Sequence, residues 1–168
     1  VTWHENGQLA FDGYHKNGVG HGLYVYYNED GRVVTSGEAK HNQRVGLWIS
    51  LNEDLNEWFH SEYEFNSPRY TETTFYPGGQ IKEQYERFQN GNADGPFETY
   101  YENGQIKYEG EFENAALVGE LRKYLQDGTI DEETSGFYEN GIKVRDLSTA
   151  VTYEEWFAEN ELCETKYN

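Results

Sequence analysis

Residues 90–95 read Asn-Gly-Asn-Ala-Asp-Gly, an order of oxygen ligands and glycine that opens a calcium-binding loop. Such a loop requires a bidentate carboxylate at its twelfth position. Tyr101 stands there instead, and no helical pattern flanks the segment, so calcium is not expected. The acidic run Asp131-Glu132-Glu133 is of a kind that ordinarily stays solvated. His4, His15, His21, His41 and His60 show no metal-ligand spacing of the His-Glu-x-x-His type; His15, His21 and His41 are expected in exposed loops. The single cysteine, Cys163, excludes an internal disulfide and a multi-cysteine metal site. It also has no histidine near it in sequence, and no serine sits in a Gly-x-Ser-x-Gly elbow. Carboxylate pairs are too abundant to be diagnostic. The expectation is therefore no catalytic residue, no metal site and no cofactor.

Composition points toward binding instead. The chain has 168 residues, with 13 Lys and Arg against 31 Asp and Glu, a net charge of −18. Nucleic acid and anionic lipid both demand cationic side chains and are poor partners for such a chain. A basic protein partner fits better. Aromatics make up 17 % of the residues, too many for an acidic disordered tail and suited to strands. No apolar run is long enough to span a membrane as a helix. The chain begins at Val1 and has no methionine, which implies that its natural start is missing. The compartment stays open between periplasmic or secreted, after removal of a signal, and cytoplasmic.

A period supplies the architecture. Gly7, Gly31, Leu55, Gly79, Gly104 and Gly128 follow one another at steps of 24, 24, 24, 25 and 24. Four residues before each stands a large apolar residue: Trp3, Tyr27, Leu51, Phe75, Tyr100 and Tyr124. A second glycine column runs Gly22, Gly46, Tyr70, Gly95, Gly119, and an asparagine column Asn17, Asn42, Asn66, Asn90, Asn114, Asn140. This predicts a single repeat domain over 1–168. Its copies fall at about 1–22, 23–46, 47–70, 71–95, 96–119 and 120–145. Tyr153, Trp156, Asn160 and Leu162 match the same columns, which places a displaced seventh copy at 152–167 in preference to a capped terminal helix. The third copy is degenerate, with Leu55 and Tyr70 in the glycine places.

Each copy reads as a hairpin. In 96–119, Ile106, Tyr108, Gly110 and Phe112 alternate with Lys107, Glu109 and Glu111, the period of a strand. Asn103-Gly104 suits a two-residue type I′ turn, and 114–119 reads as a longer loop to the next copy. The expected fold is all-β: an elongated antiparallel meander of about seven 24-residue hairpins in an open, twisted or curved sheet. Phe97 and Tyr100 are three apart and both apolar, so either the strand carries a bulge or aromatics occupy both faces.

The run Gly-x-Phe-x-x-Tyr-Tyr-Glu-Asn-Gly-Gln-Ile-Lys-x-x-Gly at 95–110 resembles the bacterial variant of the MORN repeat found in YwqK-type proteins. The resemblance is strongest at 74–112 and weakest at 52–72. It implies an array of hairpins that interacts rather than catalyses, and many bacterial members are labelled antitoxins or immunity proteins. A toxin or effector with a basic surface is the partner so implied. A structural or envelope scaffold is the alternative, and a lipid-associated module a remote one.

The candidate partner-binding residues are Glu38, Glu62, Glu86 and Glu111, preceded by Tyr14 in the same column at steps of 24, 24, 24 and 25. As rungs two strand spacings apart they would form an acidic ladder, about 9–10 Å per step. Against this stands the reading of a solvated face whose charges keep an open sheet from aggregating. Trp58 and Phe59, in the altered turn region of the third copy, are the other candidates.

Overall fold

The computed structural model describes residues 1–147. The copy expected at 152–167, with Tyr153, Trp156 and Cys163, lies outside the described residues. Within them the protein is all-β. Thirteen antiparallel strands form one open sheet, each pairing with its neighbours in sequence. They are β1 (Thr2–Trp3), β2 (Leu9–Lys16), β3 (Val19–Tyr27), β4 (Val33–Lys40), β5 (Gln43–Asn52), β6 (Glu57–Tyr63), β7 (Arg69–Phe75), β8 (Ile81–Phe88), β9 (Ala93–Tyr100), β10 (Ile106–Glu113), β11 (Ala116–Lys123), β12 (Gly136–Glu139) and β13 (Ile142–Asp146). The meander expected from the period is the observed topology.

Strand alternation sorts side chains onto two faces. On the first, here the aromatic face, one row crosses the sheet from Gly13 to Gly136. Gly13 lies opposite Tyr24 and Tyr24 opposite Gly37. Trp48 lies opposite Ser61, Ser61 opposite Glu72 and Glu72 opposite Tyr85. Tyr85 lies opposite Phe97, Phe97 opposite Gly110 and Leu121 opposite Gly136. Large and small residues alternate from Gly13 to Ser61 and again from Phe97 to Gly136, because a ring in this row lies down over its neighbour's backbone. A Cβ on Gly37 would stand 2.3 Å from the Trp48 ring. Trp48 is thereby 1 % exposed. Its indole N–H donates to the Glu38 carbonyl at 2.9 Å, and the Arg44 guanidinium covers it at 4.4 Å.

Two kinds of turn alternate, and their places are the reverse of those expected. Asn103-Gly104 is not a type I′ pair: Gly104 has φ 82°, while Asn103 is not among the residues of positive φ. The bonds Gly104 N–H to Tyr101 O and Tyr101 N–H to Gln105 O, both 2.9 Å, define a type I turn closed by a glycine bulge. The two-residue turns lie at the opposite end, in the asparagine column. Asn114 and Ala115 have φ 50° and 66°, and they join Glu113 directly to Ala116. Hence 114–119 is no long loop. His15 and His21 likewise sit in β2 and β3, and only His41 is in a turn.

The second glycine column has a different role from the loop expected. Gly22, Gly46, Gly95 and Gly119 lie inside strands at positive φ. Each falls where the pairing register to the preceding strand slips. Tyr70 occupies that column in the third copy, and there β6 and β7 pair without a slip. The glycine is thus the bulge residue, and losing it removes the bulge.

Candidate interaction surface

The second face carries the ladder. Leu23 lies opposite Glu38, Leu47 opposite Glu62, Glu62 opposite Thr71 and Thr71 opposite Glu86. Pro96 lies opposite Glu111, and Glu111 opposite Val118. All four predicted glutamates therefore stand in one row, on the face away from Trp48. Trp58 shares this face at its turn margin, opposite Leu51 and half exposed. Phe59 points through to the aromatic face, between Ser50 and Thr74, so the two aromatics do not form one patch. Phe97 and Tyr100 also divide between the faces. The slip near the turn lies between Ile106 and Tyr108 in β10, and β9 runs regularly from Phe97 to Tyr100, so of the two explanations of their spacing it is aromatics on both faces that holds.

The rungs differ in their electrostatics. Glu86 is held by Arg69 at 3.0 Å, and the other guanidinium nitrogen takes Asp94 at 2.5 Å. Asp94 also accepts the Asn114 N–H at 3.0 Å. The carboxylate of the calcium-like segment is thus occupied by an arginine and a turn amide. Further along, Arg122 reaches Glu120 at 2.6 Å and Glu109 at 3.6 Å. Glu38, Glu62 and Glu111 are exposed and make no ion pair among the described residues. Exposed apolar side chains adjoin the first two: Leu47, 49 % exposed, stands between them, and Leu23 at 60 % and Tyr14 at 62 % stand on the strands before Glu38. Arg69, Leu23 and Leu47 escaped the reading of the sequence. The column Leu23, Leu47, Thr71, Pro96, at the same steps as the glutamates, was the signal for the leucines. The arginine contacts depend on cross-strand register and had none.

Neighbouring copies are also laced together at the turn margin. The His4 ring meets the Tyr27 carbonyl at 2.8 Å, the Tyr76 hydroxyl donates to the Tyr100 carbonyl at 2.7 Å, and the Tyr101 hydroxyl to the Tyr124 carbonyl at 2.8 Å. At the equivalent places Asn28 and Asn52 instead accept N–H groups of their own turns, from Arg32 at 2.9 Å and from Leu55 at 3.2 Å; the copies are joined there by Asn28 to Glu53 at 2.8 Å and by Lys82 to Glu57 at 3.4 Å. Burial, together with the hydroxyl's hydrogen bond to Glu98, pushes the Tyr100 phenol up to about 12.

A cleft of about 470 Å³ is lined by Glu62, Glu64, Arg69, Thr71 and Glu86, among others. Beside it Tyr70 stacks on Tyr63, with centroids 4.8 Å apart. Among the described residues no group of three or more His, Cys, Asp or Glu is placed to hold a metal ion. None of their elements is a helix long and apolar enough to cross a membrane.

The hairpin β9–β10 is where the pattern is most regular. Residues 93–114 match the MORN repeat variant family. The match covers β9, its glycine-closed turn and β10, and it supports a MORN-repeat protein, a generally non-catalytic repeat type. No curated protein matches the chain. MORN repeats often bind protein or lipid, and the row of carboxylates, of which Glu86 alone is ion-paired among the described residues, bears on which.

Proposed function

We propose that this protein is a non-enzymatic binding repeat, one domain over 1–168, that neutralises a partner protein as a bacterial antitoxin or immunity protein does. The single observation that carries the reading is the alignment of Glu38, Glu62, Glu86 and Glu111 in one row of one face in a chain of charge −18. Such a row steers a basic surface into contact and fixes its register. Inhibition is steric and electrostatic: the acidic face covers a basic active-site mouth or membrane-binding surface of a toxin or effector. Trp58 contributes apolar contact at the margin of that face, and Phe59 supports it from behind.

The test is to reverse Glu38, Glu62, Glu86 and Glu111 to Lys and measure recovery of the native partner, together with the salt dependence of the complex. The expected result is loss of the complex, and for the unchanged chain a steep fall in affinity with salt. A complex indifferent to both sinks the electrostatic part.

A scaffold is the second reading, favoured by β13, an edge strand among the described residues, where Ile142 is 70 % and Val144 53 % exposed. Exposed edges pair with other strands. Oligomers that grow with concentration in light scattering would support it against the antitoxin reading.

A further inference from the structure

The two halves of the acidic face are not equivalent. In the second half Arg69 pairs with Glu86 and Asp94, and Arg122 with Glu109 and Glu120, so each guanidinium partly offsets two carboxylates. In the first half Glu38 and Glu62 are uncompensated, and each has an exposed leucine directly across the strand pair, Leu23 and Leu47. Tyr14 extends that row by one strand. Lys40 shares the face at its margin but lies over the Phe65 ring, 4.5 Å from its centroid. The first half therefore presents apolar side chain and carboxylate in alternation, strand by strand, from β3 to β6, with Tyr14 of β2 continuing its apolar end.

The repeat distance along this row is two strands, about 9.4–9.8 Å. A partner lying across the strands must present a cation at that interval, with an apolar side chain between. In a polyproline II segment one turn is three residues and advances about 9.3 Å. An α-helix returns to the same face after seven residues, about 10.5 Å, and so drifts out of step with successive rungs. From this match, and resting on the protein-binding reading above, we infer that the first half of the acidic face docks an extended basic segment. Its Lys or Arg recurs at every third residue, seated on Glu38 and Glu62, and its apolar residues lie on Tyr14, Leu23 and Leu47.

The probe is a synthetic peptide of repeated Lys-Pro-Leu triplets, titrated against the full chain by fluorescence anisotropy at low and physiological salt. A scrambled peptide of the same composition and a helical peptide with Lys at every seventh residue serve as comparisons. The triplet peptide is expected to bind at least tenfold more tightly than either. Reversal of Glu38 and Glu62 to Lys is expected to weaken it at least tenfold, as is Leu23→Ser with Leu47→Ser. Glu113→Lys, at an exposed carboxylate of β10 outside this half and outside the row of four glutamates, is expected to change it less than twofold. Circular dichroism of each variant confirms the fold. Equal affinity for the triplet and scrambled peptides overturns the docking geometry, as does an equal effect of reversal at Glu113. If the native partner is still lost on reversing all four glutamates while the triplet peptide fails to bind, the protein-binding reading stands and this inference falls. If the partner is indifferent and the peptide binds, the reverse holds.

Discussion

The tier around Trp48 and the tier around Tyr85 fill the same row of the aromatic face with size assigned to opposite strands. Around Trp48 the strands on either side offer Gly37 and Ser61, and the indole fills the room they leave. Around Tyr85 the column that holds Gly37 and Gly110 carries the large ring instead, and the column that holds Trp48 and Phe97 carries Glu72. Tyr85 stacks on Phe97 with centroids 5.4 Å apart and planes 7° from parallel. Glu72 stays on this face because Arg87 bonds it at 2.8 Å while its guanidinium lies over the Tyr85 ring, 5.1 Å from the centroid. The constraint therefore acts on the summed volume of adjacent strands, and a carboxylate is tolerated once a guanidinium on the same face satisfies it.

The sharpest way to break the comparison is Trp48→Ala. It removes the most buried ring of the row and leaves Gly37 facing a hole, so a loss of about 3–5 kcal/mol is expected in urea unfolding. Next comes restoration of the regular pattern at the exceptional tier. Tyr85→Gly alone leaves a gap, and Glu72→Phe alone crowds Tyr85 and strips Arg87 of its partner; each is expected to cost about 2–3 kcal/mol. The double variant should lose at least about 1 kcal/mol less than the sum of the two, the mark of coupled neighbours. Additive losses would show that volume is not shared between the strands.

A smaller effect is expected where copies are laced together. Tyr101→Phe deletes one hydroxyl bond to a carbonyl and should cost about 1 kcal/mol, whereas Asn52→Ala, whose side chain reaches only its own turn, should leave the joint between copies unchanged. Hydrogen exchange at Tyr124 and its neighbours would locate the first effect. The smallest is alkaline. The Tyr100 phenol is raised to about 12 from 10.0, so the folded state holds a proton that the unfolded chain releases near its ordinary value. Stability from this group is whole below pH 10 and falls as pH rises toward 12. Tyr100→Phe should flatten that part of the pH profile, read by unfolding in urea at each pH.

Much of the fold was legible because the repeat imposes its period on types of residue that strands and turns demand. The six turn positions, the alternation in β10 and the common face of the glutamates all follow from spacing. The turn types were assigned to the wrong ends because asparagine followed by glycine suits two geometries. In Asn103-Gly104 only the glycine has positive φ, and in Asn17-Gly18 both residues do; the choice depends on how many residues the flanking strands leave between them. The bulge role of Gly46 and Gly95 was hidden for a similar reason, since a register slip is a property of two strands and not of one. The compensation of Glu86 by Arg69, 17 residues earlier, needed that register too. Opposite facing of Trp58 and Phe59, by contrast, was implicit in their adjacency.

The ties His4 to Tyr27, Tyr76 to Tyr100 and Tyr101 to Tyr124 make one margin of the sheet a chain of rivets. At Asn28 and Asn52 the rivet is exchanged for a side-chain contact between copies, Asn28 to Glu53 at 2.8 Å and Lys82 to Glu57 at 3.4 Å. Seen mechanically, the link between the third and fourth copies on this margin is ionic, and salt screens it where it does not screen a carbonyl bond. A load that splays the copies along this margin is therefore resisted less there as ionic strength rises.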